Sequence, residues 1–284
     1  MHIEVDEPTS YLRLLTLALF KRGELDSGDD IPFFSLKRST FRFNKSQHRE
    51  YCTYFGFDTT TVPLPFLFVA TQSEQLMLFT HPNVVVKPLG LVHTEVAFNQ
   101  TRPLAVDDSY EFRLYLSDQR HTDRGVWFEV TGEFYFQGCC VASYKSGYLI
   151  PNKTQPRGRS SSDSQQTTVV IDESTRHLDT LTLTVTSSRA YAKLSGDYNP
   201  IHLSKTLSRL FGFRSPIIHG MHMVAKTYLL MLQQGDHKNI RFTFKRPILL
   251  PQTITCFMDS ERIIWKNKQG KELIIAISPV CHPL

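Results

Sequence analysis

Two stretches of this chain run side by side at a constant offset. VAFNQTRPLAVDDSYEFRLYLSD, around Arg102, resembles NIRFTFKRPILLPQTITCFMDSE, around Arg246, 144 positions later in a sequence of 284. Phe98 falls on Phe242, Arg102 on Arg246, Pro103 on Pro247, Leu104 on Ile248, Val106 on Leu250 and Ser109 on Thr253. An offset close to half the length is what a duplicated unit leaves behind, so the chain is constrained to build one fold twice. Between the copies, PNKTQPRGRSSSDSQQ replaces apolar periodicity with Pro, Gly, Ser, Gln and charge, a composition that cannot bury enough surface to order itself. The expected organisation is a first unit at 1–150, a linker at 151–168 and a second unit at 169–284, in line with the length prior for two domains.

Each matched segment reads as a strand, a proline-marked turn and a second strand. Further strand-like runs follow at Gly125 to Phe136 and Val141 to Ile150, and again at Arg262 to Lys268 and Glu272 to Ile277. Val, Ile, Phe, Tyr and Thr enrichment between polar or Gly punctuation supports that reading. Ahead of the strands, each half carries an apolar segment long enough for a helix, Leu64 to Phe79 and Ile218 to Gln233. The second is rich in unbranched Met, Leu, Ala and Gln and is apolar nearly all round, which predicts a buried helix. One long helix with four to five antiparallel strands is an α+β unit. A sheet wrapped around such a helix is the hot-dog arrangement, and two units edge to edge make a double hot dog.

Composition narrows the function. With 41% hydrophobic, 12% aromatic and 21% charged residues the chain is globular, not disordered or fibrous. Lys and Arg number 32 against 27 Asp and Glu, for a net charge of +5, without a basic cluster of the kind nucleic acid requires. A phosphate-bearing small molecule suits this charge better. Tyr11 to Phe20 is short and preceded by Glu4, Asp6 and Glu7, so it reads as an amphipathic surface helix and not a secretory leader. No apolar run reaches the roughly 20 residues of a membrane span, and His282, Pro283 and Leu284 do not form a peroxisomal address. Five cysteines (Cys52, Cys139, Cys140, Cys256 and Cys281) without a metal or redox spacing point to a reducing compartment. A cytoplasmic location is expected. Cys139 and Cys140, adjacent in a strand, are expected to face opposite ways, one buried and one exposed.

The densest cluster of special residues lies between Ser187 and Met231. Within LSGDYNPIH, Gly196, Asp197, Asn199 and Pro200 form a turn, with Pro200 placed as the first residue of a short helix, where a missing N–H is harmless. Asp197 and His202 project from the turn and the helix after it. An ionised carboxylate and an imidazole titrating near neutrality are suited to holding one water and moving its protons. Further on, PIIHGM leads into the buried helix, placing the Gly220 N–H among the open donors at its positive end. A thioester oxygen there would have its developing charge stabilised.

These residues resemble the MaoC-like dehydratases, or (R)-specific enoyl-CoA hydratases, whose signature runs YAxLSGDxNPxH followed by PIxHGM. Tyr191, Ala192, Leu194, Ser195, Gly196, Asp197, Asn199, Pro200 and His202 fit the first part; Pro216, Ile217, His219, Gly220 and Met221 fit the second. Phe244 to Pro247 resembles the Phe, basic residue and Pro of a later strand. The resemblance implies a double hot-dog enzyme for acyl thioesters, carried by coenzyme A or acyl carrier protein. It hydrates trans-2-enoyl substrates or dehydrates (R)-3-hydroxyacyl ones, without a cofactor beyond the coenzyme A of the substrate. Asp197 and His202 activate the water, Asn199 orients them and Gly220 supplies the oxyanion N–H. Ser195, Gly196, Tyr198, Pro216, His219 and Met221 are the matching substrate-binding positions.

The first half departs from this pattern. Nothing near residues 50 to 60 reads GDxNPxH and no His-Gly precedes the Leu64 helix, so the first unit is expected to be non-catalytic, with the apolar PLPFLFVA at Pro63 to Ala70 suited to an acyl chain. A chain holding both units is a monomer with an internal pseudo-dimer, or a homodimer of such chains. Two other readings use the same pocket: a thioesterase that directs the water at the carbonyl carbon, and a non-catalytic acyl-thioester binder. GDYNPIH favours the hydratase. His219 and His222 stand three apart but lack a third ligand at a suitable spacing, and no metal is expected. Lys205, Arg209, Arg214, Lys245 and Arg246 read either as phosphate ligands for coenzyme A or as solvated surface.

Overall fold

The computed structural model describes residues 1–7, 9–21, 25, 29–152, 175–235, 237–259 and 262–278. The stretch 153–174, which holds nearly all of the expected linker, and Cys281 to Leu284 lie outside the described residues. The first half contains β1 (His2–Glu4), α1 (Tyr11–Phe20), β2 (Ser35–Phe41), α2 (Lys45–Phe55), α3 (Leu64–Ala70), α4 (Gln72–Thr80), β3 (Val92–Gln100), β4 (Tyr110–Thr122), β5 (Gly125–Phe136) and β6 (Cys139–Pro151). The second contains β7 (Arg176–Leu183), α5 (Val185–Ser195), a 3-10 turn (Pro200–His202), α6 (Lys205–Leu210), α7 (Gly220–Leu232), β8 (Asn239–Phe244), β9 (Gln252–Met258), β10 (Arg262–Asn267) and β11 (Glu272–Ile277).

All eleven strands form one sheet in the order β1-β2-β4-β5-β6-β3-β8-β11-β10-β9-β7. From β2 to β7 every pairing is antiparallel; the short edge strand β1 alone runs parallel to its neighbour β2. Read from the middle outward, β3-β6-β5-β4-β2 and β8-β11-β10-β9-β7 are the same order of corresponding strands. The duplication is therefore structural, and the two copies fuse where β3 pairs β8. The residues matched in sequence meet at this seam: Val96 lies opposite Phe242, Phe98 opposite Ile240, and the rings of Phe98 and Phe242 approach to 6.2 Å.

Both copies share one local device. Asn44 caps α2 through Gln47 N, and Thr184 caps α5 in a reciprocal capping box with Ser187. Each helix then stops at a left-handed glycine, Gly56 at φ 88° and Gly196 at φ 82°, a conformation a side chain would resist. Where Asp197 follows Gly196, Phe57 follows Gly56, buried and stacked against Tyr51 at 6.1 Å. The residue after the helix-ending glycine is thus core in the first copy.

The helices depart from the sequence expectation in two ways. The Leu64 helix breaks at Thr71 (φ −115°, ψ 15°), whose hydroxyl donates back to Leu67 O at 2.9 Å and meets Tyr144 Oη at 2.8 Å; back-bonding of this kind favours a bend, and here the contact with Tyr144 accompanies it. The Ile218 helix begins two residues late, at Gly220. Ile218 N bonds Ile248 O and Leu250 N bonds Pro216 O, so Pro216 to Ile218 is held extended against the segment after β8. Helix α7 buries Met221, Met223, Val224, Ala225, Tyr228 and Met231 and packs on α3 and α2. Burial of the Met and Val side chains among these stabilises by about 1.5–3 kcal/mol each.

Cys139 and Cys140 are both exposed, against the expectation of one buried and one exposed. In the β5–β6 pairing, Ala142 lies opposite Phe134 but Cys140 lies opposite Tyr135. Val141 is the extra residue of this bulge; beyond it Cys140 and Cys139 pair regularly with Tyr135 and Phe136 and still alternate, and both are exposed because they sit at the turn end of the hairpin, beside the exposed Gln137 and Gly138. No helix among the described residues is long and apolar enough to cross a membrane.

Candidate active site

Helix α5 ends in a chain of bonds that aims the next residues. Ser195 Oγ donates to Tyr191 O and accepts from Asp197 N at 3.1 Å; Asp197 Oδ1 then accepts from Asn199 N at 3.1 Å. Asn199 Oδ1 accepts from Ile201 N, so its side chain starts the 3-10 turn, with Pro200 in the first position. His202 sits at the end of that turn. Ile217 N bonds back to Ile201 O, tying the turn to the strand-like entry of α7.

The histidine tautomers follow from their partners, since a backbone carbonyl only accepts. His202 Nδ1–H donates to Ile217 O at 2.9 Å, leaving Nε2 with an open lone pair. His219 Nε2–H donates to Asp197 O at 3.0 Å, so its Nδ1 accepts from Ser188 Oγ at 3.2 Å. The two imidazoles stack at 3.8 Å between centroids. Burial pushes the pKa of His202 down, against the opposing pull of the Asp197 charge, and burial together with His202 holds that of His219 well down. Both rings are neutral at pH 7.

One carboxylate oxygen of Asp197 and one ring nitrogen from each of His202 and His219 lie within 4.8 Å of one another. Three such atoms invite comparison with a metal site. Both nitrogens of His219, however, are engaged with protein groups. Only the Asp197 carboxylate and His202 Nε2 remain as converging acceptors. An Asp197 carboxylate oxygen and a His202 ring nitrogen lie within 4.8 Å of each other, and two hydrogen bonds of ordinary length to a single water span about 4.6 Å, so one water can bridge the two residues. His222 is not part of the group: its Nε2 lies 3.4 Å from Tyr54 Oη, and its Nδ1 has no hydrogen-bond partner among the described residues.

Gly220 opens α7, whose N-terminus has no side-chain cap. Its N–H is one of the first-turn donors that the helix itself cannot satisfy, and it follows directly on the His219 that touches Asp197. A Cβ here would come 2.9 Å from Phe244 Cε1. Glycine is thus required by the packing of β8 against the start of α7.

The other motif positions serve this frame. Ser195, Pro216 and Met221 are buried, Gly196 supplies the left-handed corner and Tyr198 is partly exposed. Arg246 donates to Glu272 O, while Lys205, Arg209, Arg214 and Lys245 are exposed. Two site residues have no signal in the motif. Ser188 meets His219 Nδ1 at 3.2 Å, and Tyr11, from α1, donates to Asp197 Oδ1 at 3.2 Å.

Residues 166–276 match the model of the family described as MaoC like domain. The chain is 27% identical over 194 residues to 3-hydroxyacyl-thioester dehydratase X of Mycobacterium tuberculosis, covering 68% of each chain. The crystal structure of HtdX from the same organism superposes with a TM-score of 0.71 at 23% identity, over 86% of this chain and 98% of that one. A MaoC-like dehydratase from Phytophthora capsici gives 0.63 at 19% identity, over 88% and 95%. These two likenesses establish the fold across both halves, the double hot dog. The family match falls on the half that contains Asp197, His202 and Gly220.

Proposed function

We propose that this chain is a hydro-lyase that adds water to trans-2-enoyl thioesters and, in reverse, dehydrates (R)-3-hydroxyacyl thioesters. The observation that carries the reading is that an Asp197 carboxylate oxygen and a His202 ring nitrogen lie within 4.8 Å of one another, while the bond of His202 Nδ1 to Ile217 O leaves Nε2 as that ring's open acceptor. A water held there donates one hydrogen to each and turns a lone pair toward the β carbon. As the C–O bond forms, the hydroxyl stays on the β carbon and the water's remaining proton ends on the α carbon, so both protein groups return to their starting state. The neutral His202 is in the form that accepts a proton.

Negative charge develops on the thioester oxygen during attack, and the Gly220 N–H at the positive end of α7 is the donor we assign to it. The R configuration rests on the likeness of GDYNPIH and PIIHGM to the (R)-specific hydratases. Coenzyme A or acyl carrier protein enters as part of the substrate, with no other cofactor. Phe57 in place of an acid supports one catalytic centre per chain, with the first unit accommodating the acyl chain. One chain then holds a complete site, as a monomer or within a homodimer. The described cysteines are free thiols, which fits a cytoplasmic setting. Incubation with short and long trans-2-enoyl-CoA tests the proposal. Loss of the conjugated-thioester absorbance with an (R)-3-hydroxyacyl product is expected. Thiol release without hydroxyacyl product overturns it in favour of a thioesterase.

A further inference from the structure

Helix α1 belongs to neither repeat. It precedes the first repeated strand and packs on α4 through Leu14, Ala18 and Leu76, leaving Leu12, Leu17, Leu19 and Phe20 exposed. Its first residue nevertheless reaches the chemical centre of the other half: Tyr11 Oη donates to Asp197 Oδ1 at 3.2 Å, across 186 residues of sequence. The phenol is held in its protonated, donating form by burial and by the Asp197 charge, which raise its pKa.

The consequence lies in the two oxygens of one carboxylate. Oδ1 has two donors, Tyr11 Oη and Asn199 N. Oδ2 has His219 Nε2 no nearer than 4.0 Å, and that N–H is already given to Asp197 O at 3.0 Å. The terminal torsion of an aspartate is broad, so a single backbone donor would leave the carboxylate free to rock. A second donor on the same oxygen fixes its plane and leaves Oδ2 as the oxygen open to water. We propose that Tyr11 is a positioning residue for Asp197, an element of the hydratase site supplied by the N-terminal helix from outside both repeats. The proposal rests on the hydratase reading for its kinetic consequence but not for the contact itself.

Two measurements test it on the full-length protein. In trans-2-enoyl-CoA hydration, Tyr11→Phe should lower kcat about tenfold with KM within about twofold, because the phenol acts on the carboxylate and not on substrate. In an Asp197→Asn background the same change should add no further loss. In unliganded protein, amide hydrogen exchange across α1 should accelerate about tenfold in Tyr11→Phe and equally in Asp197→Ala, since each breaks the same bond. If the wild type hydrates no enoyl thioester yet both variants loosen α1, the hydratase reading fails and the Tyr11–Asp197 tie stands. A Tyr11→Phe protein with wild-type kcat and unchanged exchange overturns the inference.

Discussion

Gly220→Ala is the substitution for which the structure predicts most from least. The added methyl would lie 2.9 Å from Phe244 Cε1 and 3.1 Å from Cζ, so something must move by roughly 0.5 Å to reach an ordinary carbon–carbon contact. Phe244 is not free to yield. Its ring abuts His93 at 4.9 Å, and His93 is stacked on Tyr148 at 5.0 Å and Phe68 at 5.4 Å. Overpacking of this kind costs about 1–3 kcal/mol, and the lower chain entropy of unfolded alanine offsets about 0.4–1 kcal/mol. The net loss is about 1 kcal/mol, or about 2–4 °C in Tm for a chain of this order of size. Activity should suffer more. If the ring column holds, the start of α7 recoils and carries the Gly220 N–H away from the thioester oxygen, and loss of such a donor lowers kcat about 100-fold. Calorimetry and enoyl-CoA hydration read the two effects on one preparation. Phe244→Leu in the same protein should relieve the contact and recover much of both. A Gly220→Ala enzyme with wild-type Tm and kcat would refute the packing argument and the oxyanion assignment together.

Other expectations follow from groups elsewhere. Burial holds His93 down to about 4 and His222 down to about 3, below the value near 6.5 of the unfolded chain. Between those limits the unfolded state binds more protons, so stability is complete above about pH 6.5 and falls with pH by about 1.4 kcal/mol per unit for each ring; urea midpoints from pH 7.5 to 5 that do not change would contradict this. Arg38 meets the buried Glu74 carboxylate at 2.7 Å, so Arg38→Met should destabilise by about 3–5 kcal/mol, and Arg38→Met with Glu74→Leu by less; equal losses in denaturant titrations would show that the pair is not what matters. Native-state alkylation followed by peptide mass mapping should mark Cys139 and Cys140 and spare the buried Cys52 and Cys256.

What could be read from sequence divides along the length scale of the interactions. The β3 and β8 segments were recognisable because an internal repeat compares the chain with itself. The turn from Ser195 to Ile201 was recognisable because the bonds that form it, from Ser195 Oγ to Ile201 N, span only a few residues. Features that depend on distant partners left no local pattern. Thr71 breaks its helix while bonded to Tyr144, which is 73 residues away. Val141 becomes a bulge only in register with β5. Tyr11 is an unremarked aromatic in an amphipathic helix until the fold delivers it to Asp197. The absence of the motif from the first half was visible in the sequence, but that Phe57 stands where Asp197 stands in the second required knowing that Gly56 and Gly196 end corresponding helices.

The central claim is that Asp197 and His202 act as one unit on one water. Single-turnover hydration of a trans-2-enoyl-CoA by the wild type, Asp197→Asn, His202→Ala and the double variant tests it most directly. Each single substitution should lower the chemical rate at least about 1000-fold, and the double should be no slower than the worse single, as for residues acting together. Losses that multiply in the double variant, or a single variant that still hydrates at the wild-type rate, would contradict the account.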